Sequence, residues 1–141
     1  MTISDEALLK HAIDATLKAR LAGGSRKDWK FTGCVGAALV TDQGNLFTGI
    51  NLDLFCGIGF CAEHAAVAEM VKSGETRITK VVAATKDGNV LPPCGRCREL
   101  IFEIDPANLD TEVILDGAQK RTLRELLPHI WQESFGPSLY P

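Results

Sequence analysis

Three cysteines and one glutamate have the residue types and spacing of a metal site that supports catalysis. Cys94 and Cys97 are three positions apart, so on the first turn of a helix their sulfur atoms share one face and can bind one ion. Cys61 begins the preceding predicted helix, with one strand between the two helices. Three thiolates around a tetrahedral Zn²⁺ leave the fourth position open for water, which is typical of catalytic zinc. The sequence therefore predicts a zinc ion held by Cys61, Cys94 and Cys97.

Glu63 follows Cys61 by two residues in the stretch "FCAEHAAV". A carboxylate at this distance can reach the water on the metal without being a ligand, accept its proton and deliver that proton to a substrate. An isolated glutamate in a first helical turn would be explained by the helix macrodipole alone. The two further cysteines, in the pattern P-C-x-x-C found in zinc deaminases, favour the catalytic interpretation.

The elements that must position these residues follow from hydrophobic periodicity. Helical spacing runs from Ser4, the predicted N-cap, to about Leu21, with Gly23-Gly24 as a stop signal. A β-hairpin is predicted around the turn at Gly44. The remaining elements are a helix from Cys61 to Ser73, a strand "KVVAAT", a helix in "PPCGRCRELIFEI", a strand "TEVILD", and a short helix with Thr122 and Glu125 in capping-box register. This order predicts an α/β protein with parallel crossovers, in which consecutive crossover helices begin at one sheet edge and can bring the thiols together.

The composition argues against several classes of function. The 141 residues, 45% of them hydrophobic and with a net charge of −3, are typical of one globular domain over residues 1–141 without a basic surface for nucleic acid. The N-terminus lacks the regions of a signal peptide, and no apolar stretch reaches membrane-spanning length. We therefore expect a cytoplasmic protein with neither a nucleic-acid nor a membrane partner. Five cysteines, an odd number, favour free or metal-bound thiols over a disulfide framework.

At this point the chain resembles the small, cysteine-only form of the cytidine deaminase family, and also the related blasticidin S deaminases. The segments that carry the resemblance are "CAEHAA", "PPCGRCREL", "VGAALVTDQGNLFTGINLD" and "RELLPHIW". It implies a three-layer cytidine deaminase-like fold, a mixed β-sheet of about five strands flanked by helices. It also implies zinc-dependent hydrolysis of cytidine or deoxycytidine to uridine or deoxyuridine with release of ammonia. Glu63 would carry protons to ring N3 and to the departing amine.

The resemblance further implies contacts to the pyrimidine nucleoside and a quaternary structure. The substrate-binding residues would be Asn51, Asp53, Ala62 and Trp131. Trp131 matches an aromatic residue that stacks at a neighbouring subunit's site, which implies a homotetramer. The segment after Trp131 is expected to be a surface tail.

Several positions depart from the family pattern. Asp53 replaces a ribose-binding glutamate and is one methylene shorter, and Gly33 replaces an aromatic residue whose place Phe31 or Phe55 could take. His64 stands where the family has an arginine, and we expect it to pack beside the thiolates rather than to bind the metal. Arg98 would then carry more of the positive charge that offsets those thiolates.

Alternative functions remain open from the sequence. A modified-cytosine deaminase, acting on blasticidin S or N4-substituted cytidines, and a free-base deaminase would use the same chemistry. Cys56 could supply a fourth thiolate and close the coordination sphere, which would make the protein a zinc-stabilised binding module. A thioredoxin-like pair of Cys94 and Cys97 would leave Cys61 and Glu63 without a role.

Overall fold

The computed structural model describes residues 2–21, 31–116 and 118–136. The helices are α1 (Asp5–Thr16), α2 (Ala62–Lys72), α3 (Gly95–Ile104) and α4 (Leu123–Leu126). The strands are β1 (Val35–Thr41), β2 (Leu46–Ile50), β3 (Ile78–Thr85), β4 (Glu112–Asp116) and β5 (Gln119–Thr122), and they form one sheet in the order β2-β1-β3-β4-β5. Short 3₁₀ turns cover Phe55–Gly57, Pro106–Asp110 and Trp131–Phe135. None of the helices in these ranges has the length and apolar content needed to span a bilayer.

Helices cover both faces of the sheet, which gives three layers. Alternate residues of β1 point to opposite faces, as the twofold period of a strand requires. Ala38 packs with Leu8 of α1 in one buried cluster. Leu39 packs on the other face in a larger cluster with residues of α2, α3 and α4, including Val67 and Ile101.

The strand pairing explains why α2 and α3 begin at the same sheet edge. β1 pairs antiparallel with both β2 and β3, so β2 and β3 run in one direction. β3 pairs in parallel with β4. The connections through α2 and α3 are therefore both crossovers between strands of one direction, and both helices start where these strands end.

Close packing of the hairpin fixes the position of α2. Gly49 of β2 lies directly beneath the first turns of this helix, where an added Cβ would come within 2.5 Å of the Ala66 nitrogen and 2.7 Å of the Ala62 oxygen. Only glycine allows the backbones to approach this closely. This close contact fixes the distance between the sheet and α2, the helix that carries Glu63.

Three elements differ from the sequence-based expectations. α1 begins after the predicted N-cap Ser4 but ends at Thr16, whose hydroxyl donates a hydrogen bond to the Ile13 carbonyl and competes with the helical pattern. Its predicted glycine stop lies outside the described residues. The edge strand β5 was not predicted as a separate element, because its sequence QKRT has no apolar alternation. The segment after Trp131, which was predicted to be a surface tail, begins within a 3₁₀ turn.

Asn108 connects the end of α3 to the beginning of β3, and its replacement is expected to destabilise the fold. Its Oδ1 accepts a hydrogen bond from the Ile78 N–H at 2.8 Å, and its Nδ2 donates to the Thr76 carbonyl at 2.9 Å and the Ile101 carbonyl at 3.0 Å. Because Asn108 is fully buried, Asn108→Ala leaves these groups unpaired, and we expect a loss of about 3 kcal/mol in the free energy of unfolding.

Urea denaturation measures this loss, with Asn89→Ala in an exposed turn as the matched control. The control is expected to change the free energy of unfolding by less than about 0.5 kcal/mol. A change below about 1 kcal/mol for Asn108→Ala would contradict the role assigned to this side chain.

Candidate active site

The predicted convergence of the three cysteines is present in the structure. Cys61 and Cys94 are the N-cap residues of α2 and α3, and Cys97 lies in the first turn of α3. The Cys61 and Cys94 sulfurs are 3.5 Å apart, and those of Cys94 and Cys97 are 3.4 Å apart. All three ligand atoms lie within 4.8 Å of one another, close enough to bind a single ion.

The electrostatics of the three thiols favour a cation between them. Burial acts to raise the pKa of Cys94, but hydrogen bonds from the Cys97 and Arg96 N–H groups and from the neighbouring thiols hold that pKa below its ordinary value. Burial raises the pKa of Cys61. Burial, followed by the charge of Glu63, also raises the pKa of Cys97. Hydrogen bonds at the helix N-terminus therefore outweigh burial and lower the thiol pKa only at Cys94. Three ionised thiols at this separation require a metal such as Zn²⁺ to neutralise their charge.

The arrangement does not fit the two alternatives based on cysteine. Cys56 is exposed and is not part of the cluster, so the described residues do not form a closed four-thiolate site. The Cys94 and Cys97 thiols are free, and the third sulfur, from Cys61, lies as close to Cys94 as Cys97 does. A simple redox pair does not explain that third sulfur.

Glu63 lies in the first turn of α2 and is only 5% exposed. Burial raises the pKa of its carboxyl group, an effect partly offset by hydrogen bonds from its own backbone N–H and from the Cys97 thiol. A carboxylate in this environment binds a proton more readily than one in water. Its burial and its position beside the sulfurs suit a group that accepts and releases protons during a reaction.

A single open cavity of about 530 Å³ contains most of the predicted site residues. Its wall includes Cys61, Cys94, Glu63, Asn51, Asp53 and Ala62. Ala62 is the first residue of α2, where backbone N–H groups have no partner within the helix and are available to a ligand. Two of the three clustered cysteines, the buried carboxylate and two further polar side chains therefore share one space.

Asn51 and Asp53 use their side chains differently. The Asn51 Oδ1 accepts a hydrogen bond from the Val35 N–H at 3.0 Å, and its Nδ2 donates to the Phe31 carbonyl at 2.8 Å. Asn51 therefore supports the cavity wall and keeps one N–H and one lone pair for a ligand. The Asp53 backbone N–H donates to the Thr32 hydroxyl at 2.7 Å, whereas its carboxylate has no hydrogen-bond partner among residues 2–21, 31–116 and 118–136.

The structure explains why residue 33 is glycine and which aromatic residue lines the cavity. Gly33 has a φ of +72°, and an added Cβ would lie 2.2 Å from that of Ala19, so no aromatic side chain fits there. Phe31 lines the cavity instead, whereas Phe55 does not. Of the two candidates from the sequence, Phe31 is therefore the one that lines the cavity.

Arg98 and His64 lie close to the cysteines without being among the ligand atoms. The Arg98 Nε donates to the Pro93 carbonyl at 2.8 Å and its Nη1 to the Leu126 carbonyl at 3.0 Å, which ties the segment before Cys94 to the end of α4. Burial, followed by the charge of Arg96, lowers the pKa of His64. The buried Nε2 of His64 has no hydrogen-bond partner in the described part of the chain.

Trp131 lies outside the cavity of its own chain and is 57% exposed. Its Nε1 donates to a carboxylate oxygen of Glu99 at 2.9 Å, and its ring packs edge-on against Phe135 with 4.6 Å between centroids. The next residue, Gln132, is buried and donates to the carboxylates of Glu99 and Glu103. The expectation of a surface tail is therefore wrong at its start, because these bonds hold the turn on α3.

Sequence reasoning did not single out several residues of the cavity wall, among them Arg96, Phe60 and Leu91. Two of them have a signal in the sequence, since Arg96 stands between two metal-site cysteines and Phe60 directly precedes the third. Leu91 stands three residues before Cys94, directly ahead of the segment PPCGRCREL, but an apolar residue there gives no signal of its own for a cavity position.

The fold, the three convergent cysteines and the buried carboxylate beside them are consistent with a zinc-dependent hydrolase. A family model described as the cytidine and deoxycytidylate deaminase zinc-binding region matches residues 3–111. The chain belongs to this family. The match confirms the family and zinc predictions, and it contains the whole of the cysteine cluster.

Relatives and solved structures agree with this assignment. A cytidine deaminase from Mycobacterium tuberculosis is 35% identical over 96 residues, which cover 67% of this chain and 69% of the relative. A blasticidin-S deaminase from Bacillus cereus is 30% identical over 106 residues, with 67% and 74% covered. The crystal structure of cytidine deaminase from Mycobacterium tuberculosis superposes with a TM-score of 0.75 at 30% identity, covering 92% of this chain and 98% of the other. That from Mycobacterium leprae gives 0.74 at 26% identity, with 90% and 99% covered, which confirms the predicted fold class.

Proposed function

We propose that this protein is a cytidine deaminase that hydrolyses cytidine and deoxycytidine to uridine and deoxyuridine and releases ammonia. The observation that carries this proposal is the buried carboxylate of Glu63 beside three convergent sulfur atoms, with Glu63, Cys61 and Cys94 in the wall of one cavity. The relatives named cytidine deaminase support cytosine nucleosides as the substrate class.

In this proposal Cys61, Cys94 and Cys97 hold the metal, and Glu63 moves the protons. When bound, zinc supplies a Lewis acid that activates a water molecule for attack on C4 of the pyrimidine. Glu63 accepts a proton from this water on a carboxylate oxygen and transfers it to ring N3. It then passes the second proton to the exocyclic nitrogen, because an amine leaves poorly as an anion. The C4–N bond breaks and ammonia departs.

The experiment that tests this function is ammonia release by purified protein of known zinc content. The substrates are cytidine, deoxycytidine, cytosine, blasticidin S and N4-substituted cytidines. Turnover of cytidine or deoxycytidine is the expected result. Turnover of blasticidin S alone would favour the second candidate, which the Bacillus cereus relative supports. No ammonia release from any of these compounds would contradict the proposed deaminase activity.

We expect the Asp53 carboxylate to accept a hydrogen bond from a sugar hydroxyl, since it faces the cavity without a partner among the described residues. Asp53→Asn should therefore raise KM for cytidine about tenfold while zinc content stays constant, as expected for one charge-assisted hydrogen bond. Steady-state kinetics measures the change, and Asp87→Asn in an exposed turn is the control. An unchanged KM would show that the Asp53 carboxylate does not bind the sugar hydroxyl.

We also propose a homotetramer in which Trp131 reaches the cavity of a neighbouring subunit. The indole supports this role because it is half-exposed, held by Glu99 and outside its own chain's cavity. Light scattering should give four times the chain mass, and Trp131→Ala should lower kcat/KM about tenfold by removing an aromatic contact. A monomer with full activity would contradict this arrangement.

A cytoplasmic location is part of the same proposal. All five cysteines are free, and reducing compartments keep thiols in this state. The substrate partner is a small pyrimidine nucleoside.

A further inference from the structure

Glu99 lies on α3 two positions after Cys97 and has no role in the mechanism above. One of its carboxylate oxygens accepts a hydrogen bond from the Trp131 indole Nε1 at 2.9 Å, and the same oxygen accepts another from the side-chain amide of Gln132. The helix that begins after Cys94 and contains Cys97 therefore also holds the 3₁₀ turn that follows α4.

The chain on both sides of Trp131 is attached to α3 by other contacts. Before it, the Arg98 Nη1 donates to the Leu126 carbonyl at 3.0 Å. After it, the buried Gln132 donates to the Glu103 carboxylate at 2.9 Å as well as to Glu99. These contacts position the backbone of the turn, so the bond from the indole to Glu99 acts mainly on the direction of the ring.

The Trp131 ring has a fixed direction although it is 57% exposed. Its Nε1 edge is bonded to Glu99, and the ring meets Phe135 edge-on at an interplanar angle of 77°. A side chain that is already oriented loses less conformational freedom when it contacts a ligand than a free side chain does. Glu99 therefore prepares an exposed aromatic face for a partner outside the cavity of its own chain.

We propose that Glu99 is a positioning residue, which orients the Trp131 indole toward the nucleoside in the cavity of a neighbouring subunit. This inference rests on the proposed deaminase function and on the homotetramer proposed with it. Because Glu99 acts through Trp131, a change at Glu99 in one chain should alter nucleoside binding in the next chain.

Kinetics of single and double variants tests the coupling of the two residues. Glu99→Ala should raise KM for cytidine and lower kcat/KM about threefold to tenfold at constant zinc content, as expected for the loss of one oriented aromatic contact. Glu99→Gln keeps an oxygen that accepts a hydrogen bond and should recover part of this loss. Trp131→Phe removes the N–H donor, so adding Glu99→Ala to it should cause no further loss.

Glu103→Ala is the matched control. Glu103 is the other carboxylate of α3 that accepts a hydrogen bond from Gln132, whereas the single indole N–H of Trp131 goes to Glu99. The control should therefore leave KM for cytidine unchanged.

Assemblies of mixed subunits test whether the effect passes from one chain to the next. Glu99→Ala subunits are assembled with a large excess of Glu63→Gln subunits, which do not turn over but keep Glu99 and Trp131. Each active cavity then has a neighbour with an oriented indole, so KM should return to the wild-type value. In the converse mixture, wild-type subunits are assembled with an excess of chains that carry both Glu63→Gln and Glu99→Ala, and KM should rise.

Fluorine NMR provides a readout that does not require turnover. The chain has two tryptophans, so labelling with 5-fluorotryptophan gives two signals, and Trp131→Phe identifies one of them. Uridine, the product, should shift the Trp131 signal of the wild-type protein. In Glu99→Ala this signal should move before uridine is added and respond less to it, whereas Glu103→Ala should behave as the wild type.

Three results would overturn the inference. One is a Glu99→Ala protein with unchanged KM and an unchanged Trp131 signal. Another is a KM that stays raised in the first mixture, since the effect would then lie within the cavity of the altered chain. The third is a double variant whose losses multiply, because Glu99 would then act independently of Trp131. Absence of ammonia release from every nucleoside would contradict the proposed function instead, and the fluorine signal would still show whether Glu99 orients the ring.

Discussion

Glu63→Gln is expected to abolish turnover almost completely while the protein keeps its zinc and its fold. The amide has nearly the same shape as the carboxylate but cannot accept a proton from water at neutral pH, so both proton transfers are lost. We expect kcat on cytidine to fall at least about 10³-fold. The side chain is not one of the three convergent ligands, so zinc content measured by atomic absorption should remain equal to that of the wild type.

A matched control separates this effect from the removal of any buried carboxylate. Glu75 is also buried, at 7% exposure, and accepts a hydrogen bond from Asn45 far from the cavity wall. Glu75→Gln should change kcat less than twofold. A Glu63→Gln protein with activity close to that of the wild type would exclude Glu63 as the proton carrier, whatever its zinc content.

Cys97→Ser is the second change for which a large effect is expected, on metal affinity and on stability. Cys97 is fully buried against the other two sulfurs, and serine at this position gives a neutral hydroxyl in place of a thiolate. Zinc affinity should fall at least about 100-fold, since changes outside the ligand set alone can cost that much. Because metal binding is coupled to folding, the free energy of unfolding should fall by on the order of several kcal/mol.

Competition with a chelator measures the affinity, and thermal unfolding measures the stability. Wild-type protein treated with excess chelator should unfold at a temperature close to that of the variant, because both proteins have lost the stabilisation that bound zinc provides. Cys56→Ser is the control, since Cys56 is exposed and outside the cluster, and it should retain full zinc. Loss of zinc in the control with retention in Cys97→Ser would assign the ligands differently.

Local sequence signals predicted the elements and the chemistry of the cluster. Ser4 caps α1 through a hydrogen bond from the Ala7 N–H at 3.1 Å, and Thr122 with Glu125 forms the predicted capping box. Such caps depend on residues within one turn of each other, so the sequence carries their information directly. The same holds for Cys94 and Cys97, whose spacing fixes their common face on α3.

Contacts between distant segments could not be predicted in this way. The charge of Arg98 beside the thiolates stays a prediction, and its hydrogen bonds go to the carbonyls of Pro93 and Leu126, of which the second is distant in sequence. Phe31 lines the cavity and Phe55 does not, and residue 33 is closed to a side chain because it lies against Ala19, a contact between separate segments. The polar strand β5 joins the sheet by antiparallel pairing with β4, a contact that its own sequence does not indicate.

The sequence by itself determined the predictions of which residues bind the metal and move the proton, because residue type and spacing within the first turns of α2 and α3 indicate that chemistry. The tertiary structure decided the shape of the substrate site. It placed Asp53 and Arg96 in one cavity without pairing them, and it held Trp131 outside that cavity on α3. These outcomes depend on how the sheet, the crossovers and the chain ends pack together, and that packing is a sum of many long-range contacts that no short stretch of residues contains.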